Sequence, residues 1–197
     1  MRIAVAGGTG VVGRHVVEAA RAAGHEVVVL SRSSGADVIT GAGLAERLQG
    51  ADAVIDVTNT TTLSAAKAVS FFETATRSLL DAESRAGVAH HVALSIVGID
   101  GIDASYYAGK LAQERAVAAG SVPFTIARAA QFHEFAGQLL SGMSGPVAVM
   151  PKLLMRPVAA REVGEHLVRV AEAGAVGRAR DLVGPRDEVL VDLARRQ

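Results

Sequence analysis

The sequence has no cysteine and no tryptophan, and it holds two tyrosines, five phenylalanines and five prolines in 197 residues. Without cysteine the chain forms no disulfide, presents no thiolate nucleophile and builds no cysteine-type zinc site. No apolar run approaches the roughly 20 residues that span a bilayer, and the N-terminus enters a strand-like run with no charged leader or cleavage site. An excess of either charge is also missing: 20 Lys+Arg stand against 20 Asp+Glu, so no net field draws in nucleic acid or an anionic membrane. The arginines that gather toward the C-terminus (Arg178, Arg180, Arg186, Arg195, Arg196) are interleaved with Glu172, Asp181, Asp187, Glu188 and Asp192, as on a solvated helix face. The expectation is a soluble, cytoplasmic protein without nucleic-acid or membrane partners.

What the chain has is a hydrophobic half, 21 glycines and a repeated alternation of apolar runs with helical patterns. Ile3–Ala6, Val27–Leu30, Asp37–Thr40, Ala53–Val57, Val88–Ser95 and Phe124–Arg128 read as strands. Helical spacing predicts helices from Val12 to Ala23, Leu44 to Leu48, Ser64 to Arg85 and Ala104 to Ala119, with Gly24, Gly50, Gly87 and Gly120 as stops. Beyond residue 129 the pattern loosens. Ala148–Met150 and Leu153–Val158 read as short strands, Arg161–Ala173 as an amphipathic helix, Asp181–Val183 as a last strand and Glu188–Arg195 as a last helix. This order predicts one α/β domain over 1–197, a Rossmann-type doubly wound parallel sheet. Residues 1–128 would form its cofactor-binding core and 129–197 a small substrate-side lobe.

The stretch Gly7-Gly8-Thr9-Gly10-Val11-Val12-Gly13 lies between the first strand and the first helix. It fits a dinucleotide-binding turn in two registers, Gly8-x-Gly10-x-x-Gly13 and Gly7-x-x-Gly10-x-x-Gly13. Glycine permits the tight turn, lets backbone N–H groups approach a pyrophosphate and lets the helix pack close to the strand. An acidic residue at the end of the second strand would bond a ribose 2′-hydroxyl; this chain has Ser31-Arg32-Ser33 there. A planar guanidinium between two hydroxyls suits a 2′-phosphate, so NADP(H) is the preferred cofactor, with NAD(H) as the other candidate.

Tyr106 and Lys110 stand four apart on a predicted helix and share a face. A nearby ammonium would lower the phenol's pKa, as suits proton exchange with a carbonyl or alcohol, and Ser95 at a strand end would bond the same oxygen. The other reading is a packing tyrosine and a solvated lysine. Of the six histidines, His133 follows Gln131-Phe132 at the junction with the lobe and is a candidate to face substrate. None fits a zinc-hydrolase pattern and no metal is expected; no G-x-S-x-G elbow marks a serine hydrolase.

The segments Ala6–Gly13, Asp56-Val57-Thr58-Asn59, Ala93–Gly98, Tyr106–Glu114 and Ala127–Phe132 occur in this order. In them the chain resembles the short-chain dehydrogenase/reductase superfamily, specifically its atypical, NmrA-like NAD(P)-binding branch. The resemblance implies that Gly7, Gly10 and Gly13 line the pyrophosphate, with Gly8, Thr9, Val11 and Val12 in the same turn. Arg32, flanked by Ser31 and Ser33, would meet the adenosine phosphate, and Thr58 and Asn59 would pass near the adenosine ribose and diphosphate. Ser95, Ile96 and Val97 would border the nicotinamide, Lys110 would bond its ribose, and Gln131 and Phe132 would flank the nicotinamide and substrate pocket. Relatives usually continue past the point at which this chain stops.

Two functions stand open. The first is an NADP(H)-dependent oxidoreductase that moves hydride to or from a small carbonyl, enone or quinone-like substrate, with Tyr106 as acid/base, Lys110 as ribose anchor and Ser95 as orienting donor. The second is an NADP(H)-sensing protein without turnover. The helices at 64–85 and 104–119 are candidates to pair in a homodimer.

Overall fold

The computed structural model describes residues 1–134, 137, 140 and 153–196. The first half runs β1 (Arg2–Ala6), α1 (Val11–Ala22), β2 (Glu26–Leu30), α2 (Leu44–Arg47), β3 (Ala53–Asp56) and α3 (Ala65–Ala86). It continues through β4 (His90–Ile96), α4 (Ser105–Ala119) and β5 (Phe124–Ala129). Then come β6 (Leu154–Met155), α5 (Ala160–Ala173), β7 (Gly177–Arg178), β8 (Glu188–Val189) and α6 (Leu190–Ala194). Six strands form one sheet in the order β2-β1-β3-β4-β5-β7, and every neighbouring pair is parallel. The fold is Rossmann-like α/β, with helices on both faces of the sheet.

The strand order reverses between β1 and β3. Connections leave in opposite directions there and open a crevice at the carboxyl ends of the strands, where open α/β sheets hold ligands. One face buries Val12, Val16 and Val17 of α1 against Val163, Leu167 and Val170 of α5. The two helices touch closely because Gly164 has no side chain: a Cβ there would lie 2.7 Å from the His15 carbonyl carbon. The other face packs Leu44 and Leu48 near α2, and Leu79 of α3, against Ala4, Ala6 and Val54. Truncating a fully buried leucine such as Leu79 or Leu167 to alanine costs about 2–5 kcal/mol.

The expected strand at Asp37–Thr40 is a turn. Asp37 Oδ1 accepts the backbone N–H of Ile39 at 2.7 Å, and the Asp37 N–H bonds Ala42 O at 2.9 Å. An aspartate that satisfies the next backbone donors folds the chain back instead of letting it ladder. In the last third the strand bonded to β5 is Gly177–Arg178; Leu182 makes only a lone bridge to Ala129. The expected strand at 153–158 shortens to β6, which pairs antiparallel with β8, so the expected last helix begins two residues later, at Leu190. The strand expected at 148–150 lies outside the described residues.

Polar side chains are buried between α3 and the sheet. His91 Nδ1 stands 2.8 Å from Glu83 Oε1, with both side chains fully enclosed. Burial alone would lower the His91 pKa, but the charge and hydrogen bond of Glu83, with Asp56 behind, outweigh it and raise the pKa above its ordinary value. His90 differs: burial lowers its pKa, and its two nitrogens meet Ala171 O and Thr125 Oγ1.

Candidate functional site

The turn after β1 tolerates almost no side chain. Gly7 has φ +78°, and a Cβ there would stand 2.8 Å from Val57 O; a Cβ on Gly13 would stand 2.1 Å from Gly7 O. Gly10 N–H donates to Gly7 O at 2.9 Å and closes the turn. Gly10 is also the N-cap of α1, with no side-chain cap and no acidic residue in the first turn. The first-turn N–H groups of Val11, Val12 and Gly13 therefore lack an intrahelical partner, while Thr9, Gly10 and Val11 are exposed. Open donors at the positive end of a helix, on a floor that side chains would fill, fit the pyrophosphate of a dinucleotide.

The end of β2 lies beside this turn, since Gly7 N–H donates to Leu30 O at 3.2 Å. Ser31 caps a short 3₁₀ turn over Arg32–Ser34. The Ser31 N–H donates to Ser34 Oγ at 3.0 Å, and that hydroxyl donates in turn to Val29 O at 2.8 Å. Ser34, which sequence reasoning left in a loop, thus builds the turn. Arg32 and Ser33 project into solvent, and Arg32 makes no ion pair among the described residues.

A third group joins the loop after β3 to α4. Asp56 Oδ1 accepts the Thr58 N–H at 2.8 Å, and Oδ2 accepts Gln113 Nε2–H at 2.8 Å. Gln113 Oε1 accepts from Lys110 Nζ, which also donates to Leu94 O at 2.6 Å. The Tyr106 hydroxyl donates to Asn59 Oδ1 at 2.7 Å. Phe72 of α3 serves both α4 residues: its ring meets Tyr106 edge-on at 5.6 Å, and its face lies 4.6 Å from Lys110 Nζ. Asp56, Gln113, Ser95 and Lys110 are exposed by only 0%, 1%, 2% and 4%. Asp56 and Gln113 escaped sequence reasoning because 57 residues separate them.

The electrostatics differ from the expected phenol–ammonium couple. Burial raises the Tyr106 pKa, and the negative charge of Asp56 adds to the rise, so the phenol stays protonated. Burial also lowers Lys110 to about 8, against the opposing charges of Asp56 and Glu114. The expected depression of the tyrosine pKa is therefore reversed, because lost hydration, with the Asp56 carboxylate behind it, disfavours the phenolate. Ser95 Oγ and Thr58 Oγ1 are buried without a hydrogen-bond partner among the described residues.

On the far side of the crevice, Ile96 and Val97 end β4 half-buried. Gln131, Phe132 and His133 lie against Val158: Val158 N–H donates to Gln131 O, and His133 N–H to Val158 O, each at 3.1 Å. Arg128 has a part that its place in a buried strand did not announce. Its guanidinium donates to both oxygens of Asp100, at 2.6 and 2.9 Å, and to both oxygens of Glu114, at 2.8 and 2.7 Å. These bonds raise its pKa further and tie the loop after β4 to α4. No group of three or more histidines or carboxylates with metal-binding geometry occurs among the described residues.

Residues 3–130 match the model of the NAD-dependent epimerase/dehydratase family. The chain belongs to that family, within the extended short-chain dehydrogenase/reductases. No curated protein sequence matches it. Among solved structures it is similar to a UDP-N-acetylglucosamine 4-epimerase from Bacillus cereus, at 19% identity and TM-score 0.78 over 98% of this chain and 79% of that one. It is similar also to the triphenylmethane reductase of a Citrobacter species, solved with NADP(H), at 19% identity and TM-score 0.77 over 99% and 74%. An NADPH-dependent quinone oxidoreductase from Escherichia coli, solved with NADPH, follows at 21% identity and TM-score 0.72 over 98% and 73%.

Proposed function

We propose that the protein is an NADP(H)-dependent oxidoreductase of the atypical, NmrA-like type, acting on a small carbonyl, enone or quinone-like substrate. The observation that carries this reading is the uncapped first turn of α1, open over glycines whose absent side chains leave room for a pyrophosphate. Two of the similar structures are reductases solved with NADP(H) or NADPH, which supports the same class. NAD(H) remains the second cofactor candidate, and Arg32, exposed and without an ion pair among the described residues, favours the phosphorylated one. One unit would comprise the cofactor core, 1–128, and a substrate-side lobe, 129–197, in the cytoplasm.

The glycine turn and α1 would hold the diphosphate, Ser31, Arg32 and Ser33 the adenosine end, and Thr58 and Asn59 the stretch between. The nicotinamide, when bound, supplies or accepts a hydride. Tyr106 would hold the proton at its phenolic oxygen, which burial keeps protonated, and deliver it to the substrate oxygen. Lys110 would hold the nicotinamide ribose. Ser95, whose buried hydroxyl has no partner among the described residues, would orient substrate oxygen, and Phe132 and His133 would line the substrate side.

A sensing protein without turnover is the second reading. It is favoured by the engagement of the Tyr106 hydroxyl with Asn59 and of the Lys110 ammonium with Leu94, Gln113 and the Phe72 ring. NADPH oxidation against a panel of carbonyls, enones and quinones tests the enzyme. Tight NADP(H) binding with no turnover on any member would favour the sensor.

A further inference from the structure

Lys110 reaches the carboxyl end of β4 through a side chain enclosed almost along its whole length. An ammonium in such a place keeps its charge and position only if acceptors replace its lost water. One is fixed by the strand itself, the carbonyl of Leu94. The other is the side-chain carbonyl of Gln113, three residues on and therefore on the same face of α4. A glutamine amide can present either end, and only its neighbours decide which. Here the neighbours leave one choice. Asp56 is an acceptor that receives the Thr58 N–H on one oxygen, so its second oxygen takes the Gln113 NH₂ group and turns the Gln113 oxygen toward the ammonium.

We propose that Gln113, oriented by Asp56, is the positioning residue that holds the Lys110 ammonium at the nicotinamide-ribose end of the cofactor site. This rests on the reading of Lys110 as the ribose contact. Asp56 then acts at both ends of the site: its backbone-bound oxygen shapes the loop that carries Thr58 and Asn59, and its other oxygen sets Gln113. Neither residue touches the cofactor in this scheme. The effect of Gln113 passes through Lys110 and reaches only the nicotinamide half, whereas Asp56 also shapes the Thr58 loop through its backbone-bound oxygen.

Calorimetric titration of the full chain with intact coenzyme and with its adenosine half tests this. The pair is NADP⁺ and 2′,5′-ADP, or NAD⁺ and ADP if that coenzyme binds more tightly. Lys110→Met and Gln113→Met should each weaken the intact coenzyme about tenfold or more and leave the adenosine half unchanged, as expected for a charge-assisted hydrogen bond. Gln113→Glu puts a carboxyl against the Asp56 carboxylate, where a shared proton replaces the amide N–H; its other oxygen still faces the ammonium, and affinity should return to within about threefold of the parent. If melting curves show that Gln113→Met does not fold, Asp56→Asn carries the test. Its one oxygen serves Thr58, its NH₂ turns the Gln113 amide over, and the same selective loss follows. A selective loss in Lys110→Met with none in Gln113→Met or Asp56→Asn overturns the role of Gln113 and leaves the functional reading standing. No selective loss in Lys110→Met overturns the ribose contact and the inference with it. Equal losses on both ligands assign Gln113 to folding alone and overturn the inference.

Discussion

Tyr106 and Asn59, 47 residues apart, are joined by a 2.7 Å hydrogen bond in which the phenol donates to the amide oxygen. The bond closes a circuit. Asp56 holds the loop that carries Asn59, Asn59 receives Tyr106, and α4 leads through Lys110 and Gln113 back to Asp56. The loop after β3 and the first turns of α4 are therefore joined at two points.

Tyr106→Phe removes the proton donor and keeps the ring against Phe72. Turnover on a competent substrate should fall by about 10²–10⁴-fold, the usual contribution of a positioned acid. NADPH affinity, followed by its fluorescence, should stay nearly unchanged. Undiminished turnover would remove Tyr106 from the chemistry.

Gly13→Ala places a methyl group where Gly7 O stands 2.1 Å away. Backbone must shift, at a cost of about 1–3 kcal/mol. Coenzyme binding should be lost more completely than stability, because the displaced turn is the one whose N–H groups meet the pyrophosphate. Thermal melting with and without coenzyme reads both effects.

Arg32→Ala should cost NADP⁺ about 10- to 100-fold in affinity, the worth of a charge-assisted contact to phosphate, with NAD⁺ little changed. Parallel titration of the two coenzymes checks it; equal losses would place Arg32 away from the 2′-phosphate.

The His91–Glu83 pair makes stability depend on pH. The His91 pKa is raised in the folded protein above its ordinary 6.5. Its contribution is thus fully present below that value and is lost as pH rises through the folded one. Denaturant unfolding from pH 5 to 10 should show this alkaline decline. Glu83→Gln should flatten it and lower stability at pH 6 by about 3–5 kcal/mol, since it leaves a buried partner uncompensated.

The sequence exposed what covalent geometry and periodicity dictate. Gly7 through Gly13 needed backbone freedom, and α1 and α3 repeated apolar residues at three and four, so the parallel sheet was legible. Asp37–Thr40 was misread because an apolar pair, Val38-Ile39, suggested a strand while the deciding feature was one carboxylate oxygen on a neighbouring N–H. The short strands after residue 153 are set by partners in β5 and β8 and leave little local pattern. That Tyr106 and Lys110 share one helix was legible from their spacing of four. The contacts of Asp56, Gln113 and Arg128 were not, since they join strands and helices far apart in sequence.

The turn at Asp37 has a consequence for how the molecule behaves among its own copies. With no strand laid outside it among the described residues, β2 is one border of the six-stranded sheet, and Val27, Val28 and Val29 lie half-buried along that border. A row of valines with unpaired backbone groups is a template for another chain. Here the row is five residues long, with the Arg2–Glu26 ion pair at its start and the Ser31 turn at its finish. A charged pair at one end and a turn at the other leave only a short edge for another strand to join, the pattern by which edge strands resist pairing between copies.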